Sequence, residues 1–127
     1  MFSTTEAFSG MSSNDIGATR TFYEEVLGIP VEDAGMGAIS LQLDSGAVVY
    51  IYPKPDHIPA SYTALNFPVD DIDATVDELV AKGVTFDKYD GAHQDEKAIA
   101  RGKAANRGPD IAWFRDPAGN ILSVLSN

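Results

Sequence analysis

The two histidines of the chain, His57 and His93, are the side chains best suited to acid–base or metal chemistry. His57 follows Asp56, and an Asp–His pair is typical of a general base and the carboxylate that orients it. His93 stands two residues before Asp95 and three before Glu96, and such a cluster could hold a divalent metal ion. Adjacent side chains point in different directions, however, and both segments are polar, so the sequence favours surface positions for both histidines.

The composition excludes several classes of function. The 127 residues include no cysteine, which excludes disulfides, thiolate metal sites and cysteine nucleophiles. The chain has 19 acidic and 9 basic residues, which gives a net charge of −10. This charge argues against partners such as nucleic acid or an anionic membrane surface. No apolar run approaches the ~20 residues of a membrane span, and residues 1–11 lack the features of a secretory signal. We therefore expect one cytoplasmic domain over residues 1–127.

Two segments carry the hydrophobic spacing of an amphipathic helix, residues 16–27 and residues 72–82. Each is preceded by an Asp placed to cap its first turn, and each ends at a glycine, Gly28 or Gly83. Alternating or continuous apolar residues predict strands over residues 39–43, 47–52, 64–69, 111–115 and 121–125.

The second half of the chain repeats the first. Asp15 aligns with Asp71 at an offset of 56 residues, whereas the hairpin glycines Gly46 and Gly119 are offset by 73 residues. The difference indicates an insertion in the second half, visible as the polar segment 91–108. Each half is predicted to form a βαβββ module of one strand, one helix and hairpin strands. The two modules span about residues 5–57 and 61–127.

The order of these motifs resembles the vicinal oxygen chelate superfamily, which includes glyoxalase I, the bleomycin-resistance proteins and the extradiol dioxygenases. The resemblance covers roughly residues 7–125 and implies an α+β fold, in which two βαβββ modules form a curved eight-strand sheet around a cleft. It also implies a homodimer. The residues that carry it are Phe67-Pro68-Val69-Asp70-Asp71-Ile72-Asp73 and Asp116-Pro117-Ala118-Gly119-Asn120 in the second half, and Phe22-Tyr23 and Val26-Leu27-Gly28 in the first.

The resemblance further implies four metal-ligand positions, typically His on the first strand of each half and Glu after each hairpin glycine. In this chain the four positions hold Phe8, Tyr50, Ala64 and Ser123. Phenyl and methyl groups cannot bind a metal ion, and neutral hydroxyls are poor ligands for a divalent one. We therefore expect no metal and no cofactor, which places the metal-dependent activities of the family in doubt.

The ligand positions also assign one face of each strand to the cleft, because side chains alternate along a strand. The other face is almost wholly apolar and is expected to pack against the helices. The cleft face mixes aromatic and polar side chains, as small-molecule pockets do. The candidate ligand-binding residues are Phe8, Gln42, Tyr50, Tyr52, His57, Asn66, Trp113, Arg115 and Ser123.

Several of these candidates also have a purely structural interpretation. The aromatic residues could simply fill the sheet interior, and Arg115 could form a salt bridge with its neighbour Asp116 instead of binding an anion. Asn66 could tie down the backbone or could donate a hydrogen bond to a ligand carbonyl. The insertion 91–108 holds four of the nine basic residues. It could be a lid whose Lys97 and Arg101 meet an anionic ligand, or a solvated loop.

The residues leave three functions open and assign no catalytic residue. The first is a protein that binds, and sequesters, a small aromatic or amphipathic molecule without a metal. The second is a metal-independent enzyme of an isomerase- or lyase-like kind, using residues of the same cleft. The third is a metal enzyme with rearranged ligands around His57 or His93.

Overall fold

The computed structural model describes all 127 residues, and the chain divides into two compact units, Met1–Pro59 and Ala60–Asn127. The first unit contains a four-stranded sheet in the order β1-β4-β3-β2, in which β1 is parallel to β4 and the other neighbours are antiparallel. Its elements are β1 (Ser9–Ser13), α1 (Ile16–Thr21), β2 (Val31–Gly35), β3 (Ala38–Gln42) and β4 (Val48–Pro53).

The second unit contains a five-stranded sheet in the order β5-β9-β8-β6, with the short strand β7 also paired to β8. Again the first strand, β5, is parallel to the last, β9, and the remaining pairs are antiparallel. Its elements are β5 (Thr63–Pro68), α2 (Ile72–Ala81), β6 (Phe86–Asp87), β7 (Ala100–Arg101), β8 (Asp110–Arg115) and β9 (Ile121–Ser126).

The two sheets have the same topology, which confirms the α+β prediction of two βαβββ modules. Even the register repeats: Gly10 is opposite Tyr50 in the first sheet, as Asn66 is opposite Ser123 in the second. The strands form two separately hydrogen-bonded sheets with nine strands in all, so the predicted count of eight is wrong. The extra strand is β7, which lies inside the inserted segment and could not be recognised from only two residues.

The helix ends also repeat. Asp15 and Asp71 each accept a hydrogen bond from the backbone amide three residues ahead, at 3.0 Å in both helices, and so cap an otherwise unpaired amide. Gly28 and Gly83 follow the helical segments with φ of 68° and 96°, a conformation that favours glycine. After Thr21 the first helix widens into a π-helical turn over residues 22–26, which the periodicity did not predict. Neither helix is long and apolar enough to cross a membrane.

Each sheet has one face against its helix and one face without a helix, which we call its open face. Residues on the helix side are almost all buried, among them Ile39, Leu41, Ile51, Phe114 and Leu122, each at 2% exposure or less. Residues on the open face are mostly half-buried or exposed. The alternation along the strands therefore agrees with the predicted division into helix-side and cleft-side residues.

The inserted segment is packed against the second unit. In the first module two residues, Met36-Gly37, join β2 to β3, whereas residues 88–109 join β6 to β8. Ile99 in that connection is fully buried, and Ala98 is 4% exposed. The interpretation of this segment as a solvated loop is therefore wrong for the apolar run 98–99, which contributes to the core, whereas residues 103–108 are exposed.

Candidate functional site

The open face of the first unit carries a row of three aromatic rings. Phe8 meets Tyr50 edge to face at 5.9 Å between ring centroids, and Tyr50 stacks on Tyr52 at 6.1 Å. Phe8 is 65% exposed and Tyr52 is 42% exposed. Exposed apolar side chains that are contiguous in this way are typical of binding surfaces. Three of the predicted ligand-binding residues are thus brought together.

Two polar groups flank this aromatic row. The imidazole Nδ1 of His57 lies 2.6 Å from the hydroxyl of Ser12, a half-buried contact, and Ser12 is opposite Tyr52 in the β1–β4 register. The side-chain amide of Gln42 donates to the hydroxyl of Ser40 at 2.8 Å, and Ser40 is opposite Tyr50. Gln42 and His57 therefore both belong to the predicted face.

The Asp56–His57 pair was one interpretation of the sequence, but the structure pairs Asp56 with Lys54. Asp56 accepts a 2.8 Å hydrogen bond from the Lys54 ammonium group, which lowers the pKa of that carboxyl. His57 contacts Ser12 of β1, and the sequence analysis did not connect these two residues. The two meet because the amide of Lys54 bonds the carbonyl of Ser13, and the amide of His57 then bonds the carbonyl of Lys54 in a tight turn. Such a long-range backbone contact leaves no signal in the sequence.

On the open face of the second unit, Asn66 and Ser123 are joined across the β5–β9 pair. The Ser123 hydroxyl is fully buried and donates a 2.6 Å hydrogen bond to the Asn66 side-chain carbonyl. Asn66 is exposed, so its amide group is left to face solvent or a ligand as a donor. Trp113 is opposite Ser123 in the β8–β9 register, so three predicted site residues are neighbours here as well.

Arg115 has another partner than the one expected. Its guanidinium forms a two-point ion pair with Asp87 of β6, at 2.9 and 3.1 Å, and this pair raises the pKa of Arg115. Asp116 instead accepts hydrogen bonds from Ala118 and Asn120 and closes the β8–β9 turn. The salt bridge expected with Asp116 is therefore wrong, because the register of β6 against β8 brings Asp87 to Arg115.

A cavity of about 230 Å³ lies beside Trp113 in the second unit. Tyr62 and Tyr89 line it together with Trp113, and both tyrosines were missed by sequence reasoning because they lie outside any patterned strand. A wider groove of about 600 Å³ lies between α2 and the inserted segment, on the helix side, and holds none of the predicted site residues.

The residues at the four metal-ligand positions do not fit a divalent ion. Phe8 and Ala64 have no donor atom, the Tyr50 ring packs between two other rings, and the Ser123 hydroxyl is engaged by Asn66. The cluster near His93 offers no alternative, since Asp95 already accepts bonds from two backbone amides and from Arg101. No group of three or more His, Asp or Glu residues is placed to hold a metal ion.

The basic residues of the inserted segment are paired with the chain's own carboxylates. Arg101 binds Asp73 of α2 at 2.7 Å and Asp95 at 2.9 Å, and Lys97 binds Asp73 at 3.2 Å and Asp77 at 3.0 Å. The hydrogen bonds raise the pKa of Arg101 and lower that of Asp73. The segment is thus clamped to α2, and both cations suggested for an anionic ligand are already neutralised.

The protein therefore consists of two βαβββ modules. In the first module, the aromatic residues Phe8 and Tyr50 occupy positions at which the resemblance implies metal ligands. The sequence matches the Glyoxalase/Bleomycin resistance protein/Dioxygenase superfamily over residues 8–124, and the chain belongs to that family. No curated protein sequence matches it.

Solved structures share the fold over almost the whole chain. An integron cassette protein of V. cholerae is 21% identical, with a TM-score of 0.63 and coverage of 99% of this chain and 98% of that one. Lactoylglutathione lyase of Agrobacterium tumefaciens is 18% identical, with a TM-score of 0.66 and coverage of 97% and 94%. The fosfomycin resistance protein FosX of Listeria monocytogenes is 11% identical, with a TM-score of 0.67 and coverage of 100% and 95%.

Proposed function

We propose that the chain binds a small organic molecule on the aromatic open faces of its sheets, without a metal ion, and sequesters it. The observation that carries this proposal is the row of Phe8, Tyr50 and Tyr52, three adjoining rings with two of them exposed. Aromatic surface with a few polar groups is the usual lining of a small-molecule site.

The chemistry of the family's ligand positions supports a binding role over a metal-dependent one. An aromatic row binds a ligand through stacking and through burial of the ligand's apolar surface. A metal enzyme instead needs anionic or imidazole donors at these positions. The family includes bleomycin-resistance proteins, and one structural neighbour is a fosfomycin resistance protein. A sequestering protein of this kind suits the net charge of −10 where the bound compound is cationic.

A second candidate function is a metal-independent enzyme on the same face. It is favoured by the 2.6 Å contact between the Ser12 hydroxyl and His57 Nδ1, because an imidazole in that place can accept a proton from a hydroxyl or a ligand. Tyr50 or Tyr52 of the same unit would position the ligand. We name no reaction for this pair.

The proposal is tested with EDTA-treated protein, a metal analysis and a screen of aromatic and amphipathic compounds by ligand-observed NMR. We expect the screen to find compounds that bind without turnover. Tyr50→Leu should lower their binding affinity by about tenfold, because one stacked ring is lost. Thr21→Ala, an exposed change on α1, is the matched control and should leave affinity unchanged. Product formation by metal-free protein would select the enzyme instead, and a stoichiometric divalent metal would overturn both.

We also propose that the chain forms a homodimer, as the resemblance implies, and acts in the cytoplasm. Sedimentation equilibrium over a range of concentrations should give twice the chain mass of 13.6 kDa. A constant single-chain mass at the highest concentration would exclude the dimer. Cell fractionation tests the location.

A further inference from the structure

The cavity beside Trp113 is an aromatic corner. Trp113 projects from the open face of β8, and Tyr89 follows β6 by two residues. Their ring centroids are 5.6 Å apart and their planes meet at 88°. Tyr62, 71% exposed, adds a third ring to the lining, and the other four lining residues are Ser61, Thr63, Ala92 and Ile121.

The corner is held in place by the inserted segment. The side-chain carbonyl of Gln94 accepts a 2.7 Å hydrogen bond from the amide of Tyr89, and its amide group donates to the carbonyls of Asp87 and Ala98. One side chain therefore ties the backbone around Tyr89 to both β6 and the buried run of the insertion. A backbone held in this way has little further conformational freedom to lose when a ligand binds.

The shape selects among ligands. Flat aromatic compounds are held best between parallel rings, whereas two perpendicular rings present two faces to a compact, rounded group. The faces of Trp and Tyr carry negative quadrupole charge, which attracts a cation that has shed its water. A quaternary ammonium group is such a cation, because its methyl groups spread the charge and it forms no hydrogen bonds.

The electrostatic surroundings agree with a cationic ligand. None of the seven lining residues is charged, so no lysine or arginine repels a cation inside the cavity. The nearby Arg115 is neutralised by Asp87. Burial, with the charge of Asp87, raises the pKa of the Tyr89 hydroxyl, so the ring is a neutral phenol around pH 7. The net charge of −10 attracts cations to the chain as a whole.

We propose that the corner formed by Tyr62, Tyr89 and Trp113 binds the quaternary ammonium group, or a similarly bulky alkylammonium group, of a small organic cation. This inference rests on the proposed small-molecule function, since Trp113 belongs to both sites, and it names the chemical class of the ligand. The remainder of the ligand would extend from the corner along the open face.

Trp113 is the only tryptophan, so its fluorescence reports on the corner directly. The probes are choline and its uncharged isostere 3,3-dimethylbutan-1-ol, each titrated at constant ionic strength. We expect choline to change the Trp113 emission with saturation, and the alcohol to bind at least about fivefold more weakly, because only the cation gains from the ring faces. Equal responses to both probes would overturn the cation inference and leave the small-molecule function standing.

Variants locate the response. Tyr89→Leu is expected to lower the affinity for choline by about tenfold, whereas Tyr89→Phe should keep it within about twofold of the wild type. Tyr62→Leu should also lower the affinity, and because Tyr62 is exposed this change should not affect folding. Val80→Ala, an exposed change on α2, is the control. A choline response unaffected by both leucine changes, or no saturable response in folded protein, overturns the inference. The screen with Tyr50→Leu then tests the proposed function separately.

Discussion

The buried hydroxyl of Ser123 donates a 2.6 Å hydrogen bond to the side-chain carbonyl of the exposed Asn66, across the parallel β5–β9 pair. The Ser123 position is one of the four at which the family resemblance implies a metal ligand. A hydroxyl that donates to a neighbouring amide at such a position joins two strands, and it has no anionic oxygen to offer a metal ion. In this chain the residue at this position therefore has a structural role, which is to link β5 and β9.

Removal of this hydrogen bond should weaken the second unit. Ser123→Ala is expected to lower the free energy of unfolding by about 1 kcal/mol, the usual loss for one side-chain hydrogen bond whose partner can still reach water. Urea denaturation of the wild type, Ser123→Ala, Asn66→Ala and the double variant measures the coupling between the two residues. A double variant whose loss equals the sum of both single losses would show that the bond contributes nothing.

The division of each strand into two faces gives a second prediction, for the adjacent residues Trp113 and Phe114. Phe114 is fully buried on the helix side and its ring packs on Phe86 at 5.4 Å. Phe114→Ala should cost about 3–5 kcal/mol in the free energy of unfolding, because it leaves a cavity in the core. Trp113→Ala should cost clearly less and should abolish ligand binding in the corner. Similar losses of stability from the two changes would mean that the faces are assigned wrongly.

Much of the fold could be predicted because it depends on local patterns. The alternation in β3 and β8 fixed which side chains face the helices, and the repeated Asp15 and Asp71 located both helix starts. Capping is a contact over three residues, so its signature is visible in the sequence.

The parts of the site that could not be predicted depend on contacts between distant residues. Asp87 is 28 residues from Arg115, and Ser12 is 45 residues from His57. Such pairs form only when strand register and loop closure are fixed. Tyr89 was overlooked for the same reason, since its place depends on Gln94, whose hydrogen bonds belong to an irregular segment. Sequence patterns identified the face, and tertiary contacts determined its chemistry.

The contact between Ser12 and His57 gives a third prediction, which does not depend on any ligand. His57 Nδ1 lies 2.6 Å from the Ser12 hydroxyl, and the tautomer with hydrogen on Nε2 would let Ser12 donate to it. We expect Ser12→Ala to change the imidazole ¹⁵N shifts of His57 and Asp56→Asn to leave them unchanged, because Asp56 is paired with Lys54. A larger effect from Asp56→Asn would restore the Asp–His pair that the sequence suggested.

The helix caps give a fourth prediction. Because Asp15 and Asp71 make the same 3.0 Å bond at equivalent positions of the repeat, each change to Ala should cost about 1 kcal/mol in the free energy of unfolding. Asp44→Ala, in an exposed turn, is the control and should cost much less. Denaturant unfolding of the three variants checks this, and a negligible effect at either cap would mean that this helix does not need its aspartate.

The last prediction concerns the clamp, by which we mean the ion pairs of Asp73 with Arg101 and Lys97. These ion pairs should be lost at acidic pH. The hydrogen bonds from these cations lower the pKa of Asp73 from its ordinary 3.8. Ionised Asp73 therefore favours the folded state at pH values above 3.8, and this contribution is lost as the pH falls below 3.8 toward the folded-state pKa.

We expect Asp73→Asn to lower the midpoint of thermal unfolding by a few degrees at pH 7, with a difference from the wild type that shrinks below pH 3.8. Asp77→Asn, which removes a single contact to Lys97, is the matched control and should have a smaller effect. Hydrogen exchange should show faster opening of residues 95–101 in Asp73→Asn, since this segment is held to α2 by the clamp. An exchange rate unchanged from the wild type would mean that the buried Ile99 alone keeps the segment in place.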